Sequence, residues 1–263
     1  MLKIQALASG SKGNITLIAS ETTRILVDVG LNLTQTLKRL HDAEIKPDTI
    51  DAILVTHEHS DHINGVAHFM KRYNCDLYVP KEACACFLRK IGNIEQERIY
   101  TFTESFSIGD IDVDYYPLPH DSEYCFGYTF CQGDCKVSVA TDLGSCPQLA
   151  IQKMAGSQVV LLECNHDMKK LECNTKYPEW LKRRIAGGSG HLSNTACASA
   201  IAKLTSLGVG QVILAHLSEE NNSPNLAYCA VCEFLEKQGI KEGTDVCIDI
   251  ATQNVVGRPY IIE

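Results

Sequence analysis

Short apolar runs recur along this chain between polar turns, and their periods predict most of its elements. Lys3–Ala8, Asn14–Ala19 and Thr23–Asp28 are brief and rich in Ile, Leu, Val and Thr, the make-up of β-strands. Asn32–Ala43 is different. It places Leu33, Leu37 and Leu40 on one face at helical spacing, so a helix is predicted there. Asp51–Thr56 is an apolar strand that runs into a histidine-rich turn, and a helix is predicted from that turn to about Tyr73. Ile99–Val139 alternates over short distances, as β-structure with turns does.

The last third alternates strand and helix. Val159–Glu163 and Gln211–Ala215 read as strands. Ser193–Leu207 reads as a helix, with Ser193 as N-cap and Gly208 just past its end. Ser223 and Pro224 open another helix, which Gly239 closes. Strands cluster in each half and helices lie between them. That pattern predicts two sheets face to face with helices outside. No linker, charge block or short repeat divides the chain, so one domain spanning 1–263 is expected.

Composition narrows the picture. With 45% apolar and 21% charged residues, disorder and coiled coil are excluded. The longest apolar runs, such as Val159–Leu162 and Val212–Ala215, fall far short of the roughly 20 residues a membrane span needs. No membrane partner is therefore expected. The opening Met-Leu-Lys-Ile-Gln-Ala lacks a basic start followed by a long apolar core, so a cytoplasmic location is expected. A net charge of -8 argues against a protein that coats duplex DNA, but leaves room for a nuclease with a small positive pocket. Thirteen cysteines without an export signal read as free thiols, mostly small core residues.

The nine histidines carry the chemistry. His41 and His68 sit on predicted helices without acidic or histidine companions, and read as surface or packing residues. By contrast, Thr56-His57-Glu58-His59-Ser60-Asp61-His62 packs three imidazoles and a carboxylate into one turn. Extended residues two apart point the same way, so His57 and His59 can grip one ion. Asp61 and His62 open the next helix and can turn toward a second ion. This donor set suits zinc, and also manganese or iron. His120, Asp142 and His216 each stand at the exit of an apolar strand, where sheet proteins gather site residues. Taken singly, each has a plain structural reading.

In the order Asp28, His-x-His-x-Asp-His, His120, Asp142, His216, these positions resemble the metallo-β-lactamase superfamily across nearly the whole chain. The resemblance implies an αββα sandwich with a dinuclear metal site at one edge. It implies that His57, His59 and His120 hold one ion, that Asp61, His62 and His216 hold the other, and that Asp142 bridges them. Asp28 matches an early acidic residue that anchors a ligand from behind. Finer motifs are similar to the YycJ/WalJ (VicX) branch: Ala8–Asn14, Ile25–Gly30, Glu163-Cys164-Asn165-His166-Asp167, Gly190-His191-Leu192-Ser193-Asn194 and His216–Asn222. That branch implies a bacterial cytoplasmic phosphodiesterase or nuclease, with single-stranded DNA exonuclease activity. The stretches around His120–Tyr128 and His191 are also similar to ribonuclease Z.

Phosphodiester chemistry fits such a site. Two divalent ions clamp the attacking and leaving oxygens of a phosphoryl transfer and make hydroxide, the expected nucleophile, available at neutral pH. Asp61 and His191 are the candidate catalytic residues, with His191 contacting the phosphate or protonating the leaving oxygen. Arg184–Ser193 is a glycine-rich loop entering a helix, so Ser189, Gly190 and Ser193 are expected to offer free backbone N–H groups to an anion. Ser9 and Asn14 lie in a small polar loop that lines the site in the resemblance. His166 is expected to reach substrate or to support a ligand.

Lys169–Arg184 carries six basic residues against two acidic ones, with Tyr177 and the only tryptophan, Trp180. It reads equally as a strand-binding stretch or as a solvated helix face. Only 22 positions separate His120 from Asp142, and 74 separate Asp142 from His216. There is no room for a protruding tRNA-gripping arm or for a large inserted domain. An open edge suited to strand ends or small substrates is expected. The alternatives are a small-molecule hydrolase on the same site, such as a cyclic phosphodiesterase or, more distantly, a thioesterase, and a non-catalytic metal-binding protein.

Overall fold

The computed structural model describes residues 1–263, with fourteen strands in two seven-stranded sheets. The first sheet contains β1 (Leu2–Ala8), β2 (Ile15–Ala19), β3 (Arg24–Val27), β4 (Ala52–Leu54), β5 (Asp76–Pro80) and β6 (Ile99–Phe102). The second contains β7 (Phe106–Ile108), β8 (Ile111–Pro117), β9 (Phe126–Gln132), β10 (Cys135–Ala140), β11 (Val159–Glu163), β12 (Gln211–Ala215) and β13 (Cys247–Ile250). Finally β14 (Tyr260–Ile262) returns to pair with β1.

Both sheets follow one plan. An antiparallel meander, β1–β3 or β7–β10, leads into parallel strands, β3–β6 or β10–β13. Nine helices connect them: α1 (Leu33–Asp42), α2 (Ser60–Ile63), α3 (Val66–Arg72), α4 (Cys84–Ile91), α5 (Gln148–Met154), α6 (Met168–Glu172), α7 (Glu179–Ala186), α8 (Asn194–Ser206) and α9 (Pro224–Lys237).

The parallel strands explain the long apolar runs. On β11, Val159 and Leu161 pack in the core shared with the first sheet, whereas Val160 and Leu162 pack with Ile151, Ile201 and Val231 of α5, α8 and α9. A strand buried on both faces has no solvent side to carry polar residues. On the outer face of the first sheet, Leu40, Phe69 and Phe87 bring in α1, α3 and α4. This is the expected layering of helices around two facing sheets. None of the helices is long and apolar enough to cross a membrane. All thirteen cysteines are free.

One predicted helix is divided. The segment expected to run from the histidine turn to Tyr73 breaks at Asn64–Gly65, between α2 and α3. Gly65 presses against the segment after β3, where its N–H donates to the Val29 carbonyl at 2.7 Å. A Cβ there would lie 2.2 Å from the Leu31 carbonyl oxygen. The close approach therefore sets the break.

Parallel pairing also places the site. Val27 lies beside Leu54, Ala140 beside Leu162, and Glu163 beside Ala215. The segments that leave β3, β4, β10, β11 and β12 thus emerge along one edge, the usual position of ligand sites in parallel sheets.

Candidate metal centre

Three residues at these strand exits adopt left-handed backbone: Asp28 (φ 63°), Asp142 (φ 61°) and His216 (φ 54°). Such conformations are sparsely populated outside glycine and cluster at functional sites. Each turns the chain sharply, so that a polar side chain follows an apolar strand into the edge. The histidine turn after β4 is pinned from the second sheet. His57 bridges to Cys125, the Phe126 N–H donates to the Thr56 carbonyl at 3.0 Å, and Tyr128 donates its hydroxyl proton to the Val55 carbonyl at 2.7 Å.

The structure brings His57, His59, Asp61, His62, His120, Asp142 and His216 together. His57, His59 and His120 form one group of converging donor atoms, and Asp61, His62 and His216 form a second. Asp142 also groups with His57 of the first and His62 of the second. Its Oδ2 is 3.2 Å from His62 Nε2, and its Oδ1 is 3.9 Å from His120 Nε2 and 3.4 Å from His216 Nδ1. His59 Nδ1 and His120 Nε2 are 3.3 Å apart. Two nitrogens tetrahedrally bound to one zinc at about 2.0–2.1 Å would stand about 3.3 Å apart.

Hydrogen bonds behind the rings set which nitrogen each presents. Asp28 Oδ2 accepts from His62 Nδ1 at 2.7 Å. Asp28 also accepts from the Thr56 N–H and hydroxyl, at 2.8 and 2.9 Å. With its proton on Asp28, the Thr56 oxygen can only accept from His57 Nδ1, 3.1 Å away. The Gly190 carbonyl accepts from His120 Nδ1 at 3.0 Å. Glu163 Oε1 accepts from His216 Nδ1 at 2.9 Å. When each of these rings is neutral, its lone pair therefore falls on Nε2, the atom turned toward the edge. His57 Nε2, His216 Nε2 and Asp142 Oδ2 are buried without a hydrogen-bond partner. Leaving a buried polar atom unpaired costs about 1–3 kcal/mol. Orphaned donor atoms on a converging imidazole and carboxylate set fit a divalent cation.

Without an ion, the cluster polarises itself. Burial raises the Asp142 and Asp61 carboxyls, but the neighbouring imidazoles outweigh it and hold both well below the usual range. Burial lowers His62 and His216, yet Asp142 and the other carboxylates carry both upward, His216 to about 10. His57, facing other imidazoles, is pushed down by burial and then by His62.

Glu163 is the functional residue without an assigned role in the sequence. It is fully buried at the end of β11 and carries four hydrogen bonds. Oε1 accepts from His191 Nδ1 at 2.7 Å as well as from His216, and Oε2 accepts from the Leu143 and Leu192 N–H groups at 2.9 and 3.2 Å. Burial pushes Glu163 up, but His191 and His216 pull it down to about 2. Its signal was present: an acid ending an apolar strand, as Asp28, Asp142 and His216 follow theirs.

His191 lies beside the cluster, its ring 5.1 Å from His120 and 5.3 Å from His216. Burial lowers its pKa, but the Glu163 carboxylate more than compensates and raises it overall. His191 lines a cleft of ≈ 250 Å³ floored by His59, Asp61, Asp142 and His216 and walled by Tyr177, Leu181, Arg184 and Ile185.

The glycine-rich loop departs from expectation at Gly190. The N–H groups of Gly187, Gly190, His191 and Leu192 donate to Arg184 O, Gly187 O, Ile185 O and Glu163, so they are not free for an anion. Gly190 is needed for this fold-back, since a Cβ would lie 2.2 Å from two carbonyl oxygens. Ser193 spends its side chain capping α8 through the Ala196 N–H, and Ser189 is exposed. The loop positions His120 and His191 instead.

Ser9 likewise acts from behind, its hydroxyl accepting from the His216 N–H at 2.7 Å, while Ser11 lines the cleft. Asn14 reaches His62 Nε2 at 3.1 Å and accepts from the Gly10 N–H. His166 is fully buried, with both ring nitrogens unpartnered, and does not line the cleft. It is therefore not placed to touch substrate. His41 and His68 are exposed and remote from the cluster.

Residues 23–217 match the model of the beta-lactamase superfamily domain. The chain is 33% identical over 244 residues to the exodeoxyribonuclease YycJ of Bacillus anthracis, covering 92% of each chain. It is 32% identical over 247 residues to the exodeoxyribonuclease WalJ of Streptococcus pneumoniae, covering 92% of this chain and 91% of that one. Among solved structures, the metallo-β-lactamase fold protein YhfI of Bacillus subtilis superposes with a TM-score of 0.73 at 14% identity, covering 98% of both chains, which establishes the fold. With a family match over most of its length and relatives this similar from end to end, the protein belongs to the beta-lactamase superfamily and, within it, to the family that includes YycJ and WalJ.

Proposed function

We propose that this chain is a metal-dependent phosphodiesterase that shortens single-stranded DNA from an end. Two divalent ions, zinc before manganese or iron, would be held by His57, His59 and His120 and by Asp61, His62 and His216, with Asp142 shared. Residues 1–263 are read as one hydrolase domain. The observation that carries this reading is the convergence of two three-residue donor groups on one shared carboxylate. The relatives' printed activity, exodeoxyribonuclease, supports DNA as the substrate class.

When bound, two such ions offset the phosphate charge and bring the pKa of water toward neutrality. The chain's own residues do the rest. Asp28, Glu163 and the Gly190 carbonyl hold His62, His216 and His120 so that no ring has to reorient during the reaction. His191 keeps a proton on Nδ1 for Glu163 and turns Nε2 to the cleft. With Nδ1 committed to Glu163, Nε2 is the atom placed to contact the phosphate or to give a proton to the leaving oxygen. The short connections around the cleft leave its edge open to a strand end.

The test is hydrolysis by protein reconstituted with zinc or with manganese. The substrates are 5′-phosphorylated single-stranded DNA, matching RNA, a 2′,3′-cyclic nucleotide and bis-p-nitrophenyl phosphate, with His191→Ala as control. Stepwise shortening of the DNA, lost in the control, is expected. Turnover of the small esters alone would replace the nuclease reading with a small-molecule phosphodiesterase.

A further inference from the structure

Resting on that reading, we propose that Trp180 is a stacking platform for an unpaired base of the strand entering the cleft, with Arg183 beside it for the backbone phosphates. The chain's only tryptophan is 65% exposed, on a helix whose neighbouring residues wall the cleft. An exposed indole offers a free π-face on which a base can stack. Helical spacing fixes its neighbours: Arg183 and Arg184 stand three and four positions on, on the same side of α7. Leu181, Arg184 and Ile185 face the cleft, together with Tyr177 just before the helix. The rim around Trp180 therefore continues into the floor where His59, Asp61, Asp142 and His216 converge.

Charge selects the occupant. Lys176, Lys182 and Arg184 pair with Glu220, Glu179 and Asp121, whereas Arg183, three positions from Trp180 on α7, is exposed with no acidic partner. This is a cationic aromatic rim in a chain of net charge -8. Aromatic faces flanked by cations bind unpaired nucleotides with little regard to sequence, because every base has a π-face. Bases stacked inside a duplex offer no such face. The rim would therefore admit a single strand or a frayed end.

Because the chain has one tryptophan, its fluorescence reports this residue alone. Metal-free protein, which cannot cut, is titrated with a 5′-phosphorylated oligo-dT and with a blunt duplex. Quenching by the single strand and none by the duplex is expected. Trp180→Ala should weaken oligo-dT binding, read by anisotropy of a labelled strand, by about 5- to 150-fold. Trp180→Phe should recover most of that loss. Metal-loaded Trp180→Ala should hydrolyse bis-p-nitrophenyl phosphate as the wild type does. Silent fluorescence with unchanged affinity would overturn the inference. So would a variant that changes only the sedimenting mass, which would make the rim an interface between copies. Loaded wild type that quenches with oligo-dT yet shortens no DNA would count against the nuclease reading and leave the platform standing.

Discussion

Glu163→Gln replaces one oxygen by NH2 in a side chain that accepts at both ends. Oε1 takes two imidazole N–H groups, from His191 and His216, and Oε2 takes two backbone N–H groups, from Leu143 and Leu192. A glutamine of the same shape must turn its NH2 toward one pair. Facing the amides, it meets two donors that cannot change, and leaving both unpaired costs about 2–6 kcal/mol. Facing the imidazoles, it meets rings that can move a proton from Nδ1 to Nε2, so this is the cheaper arrangement. His216 would then present an N–H, not a lone pair, toward Asp61 Oδ2, 3.5 Å away. The expected outcome is a modest loss of stability with a large loss of metal affinity. Hydrogen-bond partners behind a ligating histidine are typically worth 10–100-fold, or about 1.4–2.7 kcal/mol. Zinc titration against a chromophoric chelator near neutral pH reads the affinity, and thermal unfolding of metal-free protein reads the stability. A variant that binds zinc with wild-type affinity and keeps wild-type turnover would refute the tautomer role given to Glu163.

Asp142→Ala removes the carboxylate shared by both donor groups; metal stoichiometry by elemental analysis should fall, and hydrolysis should drop by about 10²–10³-fold, with the circular-dichroism spectrum retained. Chelation of metal-loaded protein should lower Tm by about 5–10 °C, since a ligand at a hundred times its Kd adds about 2.7 kcal/mol and each kcal/mol moves Tm by about 2–4 °C at this size; scanning calorimetry with and without EDTA checks it. Asp110 ties the β7–β8 turn to the β2–β3 turn, its Oδ1 accepting from Ser20 and Thr23 at 2.6 and 2.7 Å, and these hydroxyls depress its carboxyl to about 2. A carboxyl lowered on folding stabilises fully above its unfolded value near 3.8 and loses that contribution as pH falls toward 2, so the Tm gap between wild type and Asp110→Asn should close across that range.

Part of the donor cluster was legible because its signal is local, and the rest followed from the resemblance to the superfamily. His57, His59, Asp61 and His62 share one turn, and His120, Asp142 and His216 stand at the ends of apolar strands whose course the pattern predicts. The partners behind those residues were not legible. Glu163 looks like the last residue of a buried strand, and its role depends on Leu143, His191 and His216, which lie 20, 28 and 53 positions away. The glycine-rich loop shows the converse. Its composition suits an anion, but the Gly187, Gly190 and His191 amides are consumed by the loop's fold-back onto Arg184, Gly187 and Ile185.

The amino-acid sequence by itself determined the histidine turn and the strands and helices with a plain period, because period and residue type act within a few positions along the chain. His120, Asp142 and His216 joined that turn as donors only through the order of motifs shared with the superfamily. Only the tertiary structure decided which ring nitrogen each histidine presents, that His166 is sealed away, and that Trp180 stands open at the rim. Hydrogen-bond partnership and burial are set by segments far apart in the chain, and those meet only when the two sheets close and the parallel strands bring their ends to one edge.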